Sequence, residues 1–289
     1  MEHANEYLIY PENIEESLSI DEVSLSKGEL YTVLTNKRTK QKNKKSLVAI
    51  INGTDSNVIQ KVLNKIPQPT RDKVLDISLD MARNMNLIAT TCFPNAKKSI
   101  DRFHVVRLVL DAMQHVRVKT RWAVIKSENR TIDKMKKKKQ KYKPKVLENG
   151  DTLKELLARS KYLLYRLEDD WTDKQRQRAN ILFKKFPKIK KAYYLSLEFR
   201  SIYLNKNIID AKFQFNQWKI DVECSKIEEF NSSIHSLEYH QEEIFNYFHT
   251  KSTNGYAESF NSKIKNFRAN LKGVTDIKFF LFRLEKLFA

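Results

Sequence analysis

Glycine is scarce in this sequence, and its few copies are scattered. The 289 residues include five glycines, no two of them close together: Gly28, Gly53, Gly150, Gly255 and Gly273. A P-loop or a dinucleotide-binding turn needs clustered glycines, because the backbone there must approach phosphate closely. The sequence therefore argues against both kinds of site, and any phosphate chemistry has to use metal ions and side chains.

Cysteine and long apolar runs are also lacking. Cys92 and Cys224 are far apart and have no CxxC spacing, which argues against a disulfide framework or a zinc ribbon and fits a reducing compartment. No apolar run approaches the roughly 20 residues that span a bilayer. The N-terminus lacks the basic start and apolar centre of a signal peptide. These absences predict a cytoplasmic protein with no membrane partner.

Positive charge, by contrast, is abundant. Lysine and arginine number 54 against 35 acidic residues, so the net charge is +19 and the pI is near 9.7. Such an excess usually indicates a polyanionic partner, most often nucleic acid, although a basic protein without that role is the alternative. Residues 134–145 hold eight lysines and are predicted to form a solvated loop that binds phosphates without sequence preference. Its central lysines are candidate DNA contacts: Lys136, Lys137, Lys138 and Lys139.

The first third of the chain shows the pattern of a mixed sheet. Alternating apolar and polar residues predict strands, and 3.6-residue periodicity predicts two helices. The strands cover residues 17–25, 29–35, 46–51, 73–80 and 99–106, and the helices cover residues 57–66 and 81–91. Three antiparallel strands followed by β-α-β-α-β predict an α/β fold with an RNase H-like mixed five-stranded sheet. In that layout the first and fourth strands are central and adjacent.

The remaining chain predicts a large all-α insertion before the last helices of the sheet domain. Helical apolar periodicity dominates after residue 106 and continues to about residue 250. The predicted organisation is a leading acidic segment (1–16), the first part of the RNase H-like core (17–106), the helical insertion (107–250) and the second part of the core (251–289).

A polar helix face is predicted within residues 253–268. At about 100° per residue, one side carries a carboxylate, an amide and two cations, while the opposite side is apolar. The polar set is Glu258, Asn261, Lys265 and Arg268. It suits a metal ion and a phosphate backbone, although many surface helices carry a mixed polar face.

Three carboxylates stand out by position. Asp21 lies in the first predicted strand, Asp80 ends the fourth, and Glu258 lies on the late helix. Adjacent strands would place the two aspartates side by side, and the helix after the insertion can place Glu258 opposite them. Clustered acids repel one another unless a cation neutralises them, and Mg²⁺ prefers oxygen ligands. The trio therefore predicts a two-metal site for phosphoryl transfer.

Each of these acids could instead be a capping or salt-bridged carboxylate, and other acids compete with them. Glu22 should point to the opposite face of its strand, and Asp76 lies too far from the strand end. Asp101 is the strongest rival because it lies on the neighbouring strand. His104 could orient a carboxylate, contact the substrate, or be an ordinary core or surface histidine.

At these residues the sequence resembles the DDE transposases of bacterial insertion sequences. The matching pieces are Ile20-Asp21-Glu22, Ser78-Leu79-Asp80-Met81, Phe93-Pro94-Asn95-Ala96 with Asp101-Arg102-Phe103-His104-Val105, and Thr253-Asn254-Gly255 through Arg268. The subgroup has a DRFHV strand, a long helical insertion and a TNGxxExxN catalytic helix. The resemblance implies that Asp21, Asp80 and Glu258 bind two Mg²⁺ ions, which Mn²⁺ can replace, with Asn261 and Lys265 supporting substrate binding.

The resemblance also implies a reaction and partners. The reaction would be Mg²⁺-dependent hydrolysis at transposon ends, followed by attack of the freed 3′-hydroxyl on target DNA. The partners would be double-stranded DNA and a second copy of the chain, in the bacterial cytoplasm and associated with the nucleoid.

One departure from the family pattern concerns the recognition of transposon ends. Relatives carry an N-terminal DNA-recognition region, whereas here Asp21 comes almost at once. Recognition could therefore reside in a separate subunit, a truncated part or the helical insertion. Two other functions stay open: an RNase H-like structure-specific nuclease, and a catalytically inactive domesticated DNA-binding protein.

Overall fold

The computed structural model describes residues 6–25, 28–37, 46–250, 255–273 and 275–288. The chain divides into two compact units, one formed by residues 1–105 with 240–289 and the other by residues 106–239. The first unit contains the sheet, and the described part of the second is helical apart from its connections.

The sheet of the first unit has six strands. They are β1 (Tyr7–Ile9), β2 (Ser17–Ser24), β3 (Leu30–Asn36), β4 (Leu47–Asn52), β5 (Asp76–Leu79) and β6 (Lys97–Ile100), in the spatial order β1-β4-β3-β2-β5-β6. The first four strands pair antiparallel, whereas β5 runs parallel to β2 and β6 runs parallel to β5. This mixed sheet confirms the α/β class and is consistent with an RNase H-like transposase domain.

Helices occur in both units. They are α1 (Ser56–Leu63), α2 (Gln68–Arg71), α3 (Arg83–Cys92), α4 (Arg102–Lys137), α5 (Leu153–Arg159), α6 (Asp173–Lys185), α7 (Pro187–Ile202), α8 (Ile208–Ser225), α9 (Asn231–Tyr239), α10 (Gln241–Thr250), α11 (Gly255–Asn270) and α12 (Ile277–Phe288). In the part of the chain that the structure describes, no helix is long and apolar enough to cross a membrane.

The sheet is larger at one edge than the sequence predicts. The leading segment, for which no strand was predicted, contains β1, which pairs with β4 from Tyr7 opposite Ile51 to Ile9 opposite Ala49. Leu8 on this strand is buried in the core. Three residues are too few for a two-residue alternation to stand out, so the pattern gave no signal here.

The last strand is shorter than predicted. Strand β6 ends at Ile100, and helix α4 begins at Arg102 instead of the strand continuing to residue 106. Val105, Val109 and Met113 are buried at four-residue spacing, whereas Phe103 is exposed. Asp101 therefore stands at the turn between strand and helix, and its backbone carbonyl accepts hydrogen bonds from the amides of His104 and Val105 (3.1 and 3.3 Å).

Strand β2 is central and buries apolar residues on both faces. Leu18 and Ile20 belong to a core cluster that includes residues of α1 and α3. Val23 belongs to a second cluster with residues of α11 and α12. Because side chains alternate along a strand, Asp21 shares the face of Val23 and is directed toward α11.

Helix α10 packs on the sheet, although residues up to 250 were predicted to belong to the insertion. Asn246 Nδ2 donates to the carbonyl oxygen of Lys98 (2.8 Å), and Asn86 Nδ2 donates to Glu243 Oε1 (3.3 Å). Both contacts lie within the first unit.

The second unit is built from capped helices. Thr152 and Thr172 cap α5 and α6, each with a reciprocal capping box. The side chain of Trp218 is fully buried and donates to the carbonyl oxygen of Leu195 (2.8 Å), which ties α8 to α7.

The lysine-rich segment is partly helical, which corrects the prediction of a loop over its whole length. Residues 134–137 form the last turn of α4, and Lys139 then adopts a left-handed conformation with φ of 56°. Tyr142 returns to the helix, donating its hydroxyl to Glu128 (2.9 Å). Lys136 and the three lysines after it are exposed to solvent.

Candidate active site

Strand register brings together Asp21, in the middle of β2, and two aspartates that directly follow the ends of β5 and β6, Asp80 and Asp101. Ser19 of β2 lies opposite Ser78 of β5, and Leu79 of β5 lies opposite Ile100 of β6. Continuing these registers places Asp80 beside both Asp21 and Asp101. Because the three strands are parallel, all three aspartates lie level with the carboxyl ends of β5 and β6, the side of the sheet on which ligands bind in open α/β sheets.

Asp21 is held by two hydrogen bonds in a partly buried position. Its Oδ1 accepts the backbone N–H of Glu22 (2.8 Å), and its Oδ2 accepts Nδ2 of Asn261 (2.7 Å). Burial raises the pKa of Asp21, and the negative charges of Asp80 and Asp101 raise it further, while the Glu22 hydrogen bond and His104 lower it. The ionised carboxylate is therefore disfavoured unless a cation compensates for the lost hydration and the neighbouring acids.

The other two aspartates are fixed by the turns that follow their strands. Asp80 Oδ1 accepts the backbone N–H of Ala82 (2.8 Å), immediately before α3 begins. Asp101 is buried, and its backbone N–H donates to the carbonyl oxygen of Leu79 (3.0 Å). His104 lies one turn into α4 and is close enough to act electrostatically on Asp21.

Asn261, on α11, contacts this cluster through its hydrogen bond to Asp21. Its side chain is 7% exposed, and among the described residues its Oδ1 has no hydrogen-bond partner. An unpartnered buried amide oxygen is costly, so it marks a position suited to an additional donor or a cation.

Glu258 lies three residues earlier on α11 and is exposed. No hydrogen bond or ion pair joins it to the aspartates in the described part of the chain. The sequence therefore placed Glu258 on the helix that reaches the site, but the structure shows its carboxylate in solvent.

Arg268 does not lie on the exposed polar face of α11 that the helical wheel predicts. It is buried, its Nε donates to Glu29 Oε2 (2.8 Å), and its guanidinium lies 5.0 Å from the centroid of the Phe280 ring. Hydrogen bonding to Glu29 raises the pKa of Arg268. The buried stripe of α11 contains Ala257, Phe260, Asn261, Ile264 and Arg268, whereas Lys265 is exposed.

Two further polar residues near the site, Asp76 and Asn84, form hydrogen bonds or ion pairs of their own. Asp76 binds the buried Lys37 and the hydroxyl of Ser17, so it belongs to a structural ion pair. Asn84 Nδ2 donates to Glu22 Oε1 (3.0 Å) and to the carbonyl oxygen of Thr54 (3.3 Å). Sequence reasoning missed Asn84, because nothing in the pattern of α3 distinguishes it from other polar residues.

A protein-family model described as transposase, of the ISL3 type of DDE transposases, matches residues 18–284. The match covers most of the chain and runs from β2 into α12. The chain belongs to this transposase family. No curated protein and no solved structure shows a significant match.

Membership confirms the resemblance to DDE transposases of insertion sequences. A transposase of this family is a DNA-processing enzyme that acts in transposition and DNA recombination, and DNA is its partner. The matched range includes Asp21, Asp80 and Asp101, together with α11.

The oxygen atoms at this site of the transposase are of the type that Mg²⁺ binds. Mg²⁺ takes oxygen ligands, and the strand-end edge offers the carboxylates of Asp21 and Asp80 with the unpartnered Oδ1 of Asn261 nearby. In the arrangement that the structure describes, no three His, Cys, Asp or Glu side chains are grouped so that they could hold one metal ion.

Proposed function

We propose that this transposase hydrolyses phosphodiester bonds at transposon ends with Mg²⁺ and joins the freed 3′-hydroxyl to target DNA. The supporting observation is the strand register that brings Asp21 and Asp80 side by side on adjoining strands, with burial and the neighbouring acids raising the pKa of Asp21. A site that disfavours negative charge in this way gains most from a bound cation.

Asp21 and Asp80 would hold the metal ions, and Glu258 would supply the third carboxylate once its side chain turns toward them. Two ions, for which Mn²⁺ can substitute, would stabilise the attacking and leaving oxygens. Asp101 is the alternative third carboxylate, because it is already buried beside Asp80.

The other residues of the site would position the reactants. Asn261 donates a hydrogen bond to Asp21 and so fixes the orientation of the Asp21 carboxylate. Lys265, exposed one turn further along α11, would bind a phosphate of the DNA strand. His104 would act electrostatically on Asp21, lowering the pKa of that carboxyl and so favouring its ionised form.

The chemistry would consist of two displacements at phosphorus. Water attacks the phosphorus at the transposon end, the P–O3′ bond breaks, and a 3′-hydroxyl and a 5′-phosphate are left. That 3′-hydroxyl then attacks a phosphodiester of the target and displaces another 3′-oxygen. A homodimer holding paired ends is part of this proposal, as is recognition of the ends by a separate subunit.

Substitution of Asp80 tests the proposal. Asp80→Asn keeps the size of the side chain and its acceptor for Ala82 but removes the charge. Since metal-based stabilisation contributes several kcal/mol, strand cleavage should fall by about 10³-fold while DNA affinity stays nearly unchanged. Asp169→Asn, on an exposed turn of the second unit, is the charge-matched control and should cleave normally.

The assay uses end-containing DNA with Mg²⁺, Mn²⁺ or a chelator, and scores cleavage and joining separately. Cleavage by Asp80→Asn at the normal rate would remove the carboxylate assignment. Cleavage without joining to a target would identify a structure-specific nuclease instead of a transposase.

A further inference from the structure

A cavity of about 350 Å³ lies in the second unit, between α6, α7 and the turn that precedes α6. Its volume falls within the range of about 300–1,000 Å³ typical of ligand pockets. Charged and aromatic side chains dominate its wall. The groups used below are Glu168, Arg176, Lys184, Lys190 and Tyr194, with Asn180 at the rim.

The charges of this cavity favour an anion. Arg176, Lys184 and Lys190 face one carboxylate, that of Glu168. Within the described residues, no carboxylate oxygen lies within ion-pair distance of any of these three cations. Glu168 instead accepts the hydroxyl of Tyr194 (2.8 Å). Arg176 Nη2 also donates to the backbone carbonyl oxygen of Glu168 (3.0 Å), a neutral partner that leaves its positive charge uncompensated. The three cations therefore favour a phosphate, which is held without regard to base sequence.

The aromatic residues offer a stacking surface. Trp171 and Phe183 are buried and form the floor, and Trp171 Nε1 is fixed by donation to the carbonyl oxygen of Leu163 (3.0 Å). Tyr194 is 42% exposed, and its ring lies 6.2 Å from that of Phe183. Support from the floor and the hydroxyl bond to Glu168 holds the Tyr194 ring in place. Lys190 Nζ lies 6.0 Å from the centroid of this ring, so a planar ligand stacked on the exposed part of Tyr194 would have a cation beside it for its phosphate.

We propose that this cavity binds one unpaired nucleotide of DNA, with its phosphate against the three cations and its base against Tyr194. The exposed amide of Asn180 can donate to or accept from the edge of the base. A base inside a duplex is already stacked on both faces, so the cavity should prefer single-stranded DNA to fully paired DNA. DNA as the source of the nucleotide rests on the proposed function, but no part of the cavity belongs to the carboxylate site.

Neighbouring lysines provide a matched test of the charge. Lys184 and Lys185 are both exposed in the last turn of α6, and Lys190 and Lys191 are both exposed on α7. Only Lys184 and Lys190 line the cavity. Lys184→Ala with Lys190→Ala therefore removes the same charge from the same helices as Lys185→Ala with Lys191→Ala, but only the first pair faces the ligand.

Binding of the full chain to a short fluorescent single strand and to a blunt duplex is measured in chelator, which prevents cleavage. The cavity pair should weaken single-strand binding by about tenfold, and the control pair by less than about twofold, because long-range charge is screened by salt. Tyr194→Leu should weaken single-strand binding at least about fivefold and leave duplex binding unchanged, since base stacking on an aromatic ring is lost. Tyr162→Leu, an exposed tyrosine outside the cavity, is its control.

Equal losses for the two lysine pairs would overturn the proposal, as would a Tyr194→Leu variant that loses duplex and single-strand binding alike. Competition distinguishes the sources of the anion. A mononucleotide should displace the single strand at a concentration where inorganic phosphate does not, and equal displacement by phosphate would refute base stacking. The Asp80→Asn variant should retain the single-strand preference, so a failure of the cleavage proposal and a failure of this one give different results.

Discussion

The ion pair between Arg268 and Glu29 ties α11 to the sheet, and it can be tested apart from DNA binding. The two side chains are 3% and 17% exposed, and Arg268 bonds Glu29 through both Nε and a terminal nitrogen. Arg268→Met keeps the aliphatic length of the side chain and removes its charge. Glu29 is then left almost buried without its partner.

Removing one partner of a buried ion pair costs about 3–5 kcal/mol. Glu29 retains some access to water, and Met fills part of the space beside Phe280, so the lower end, about 3 kcal/mol, is expected. The double variant Arg268→Met with Glu29→Met should recover much of that loss, because a well-packed apolar pair often replaces a buried ion pair at little cost. The resulting coupling energy should be about 1–3 kcal/mol, as for other residues in direct contact.

Urea unfolding followed by circular dichroism measures this effect. With an m-value of about 3 kcal/mol/M, a loss of 3 kcal/mol shifts the midpoint by about 1 M. Lys265→Met, an exposed cation on the same helix, is the matched control and should lower DNA affinity without changing the midpoint. The reasoning is refuted if Arg268→Met unfolds at the normal urea concentration while its DNA affinity drops as in the Lys265 variant.

Two further measurements address the second unit. Replacing the four exposed lysines from Lys136 to Lys139 by glutamine should weaken DNA binding and make its salt dependence less steep. The slope of log affinity against log salt should decrease in magnitude by up to about 3–4, since each phosphate contact contributes about 0.9. An unchanged slope would contradict contact of these lysines with DNA. Burial opposes ionisation of Glu229, but hydrogen bonds from Lys188, its own backbone N–H and Lys119 lower its pKa from 4.5 to about 2. Because the folded pKa lies below the unfolded one, Glu229 stabilises the fold above about pH 4.5, and this contribution disappears as pH falls toward 2. Glu229→Gln should therefore show a smaller loss of stability between pH 5 and 2 in urea titrations, and an acid profile identical to that of the unchanged chain would exclude the ion pair as its cause.

Strand pattern and strand order were sufficient to bring Asp21 and Asp80 together. The first strand carries Leu18 and Ile20 on one face and Asp21 with Val23 on the other, and it pairs parallel with β5. The position of each aspartate therefore follows from counting along a strand. A pairing shifted by one residue would turn Asp21 away from α11 and bury it among the side chains of the opposite core cluster. The hydrophobic pattern of β2 therefore specifies the register as well as the strand.

The faces of α11 could not be read in the same way. A helical wheel groups residues by polarity, but Asn261 and Arg268 are buried because they meet polar partners far away in the sequence. Asn261 meets Asp21 across 240 residues, and Arg268 meets Glu29 across 239 residues. Local periodicity contains no information about such pairs, so it assigned both residues to the exposed side with Lys265.

The predicted boundary between β6 and α4 was wrong for a related reason. Val105 and Val106 are β-branched, and β-branched runs favour strands when local propensity alone is considered. In the structure, burial of Val105, Val109 and Met113 along one face of α4 outweighs that preference. Tertiary packing decides whether such a short segment forms strand or helix, and local propensity does not include that packing.

The contacts of α11 also constrain how Glu258 can join the aspartates. Asn261 holds the middle of the helix to Asp21, and Arg268 holds its last turns to Glu29. A rigid shift of α11 would break both contacts and would cost several kcal/mol for the buried ion pair alone. Glu258 is exposed and stands in the first turn of the helix, ahead of both anchors. If Glu258 is the third metal ligand, as proposed, its recruitment should therefore proceed by reorientation of its side chain and the first turn, with Asn261 still bonded to Asp21.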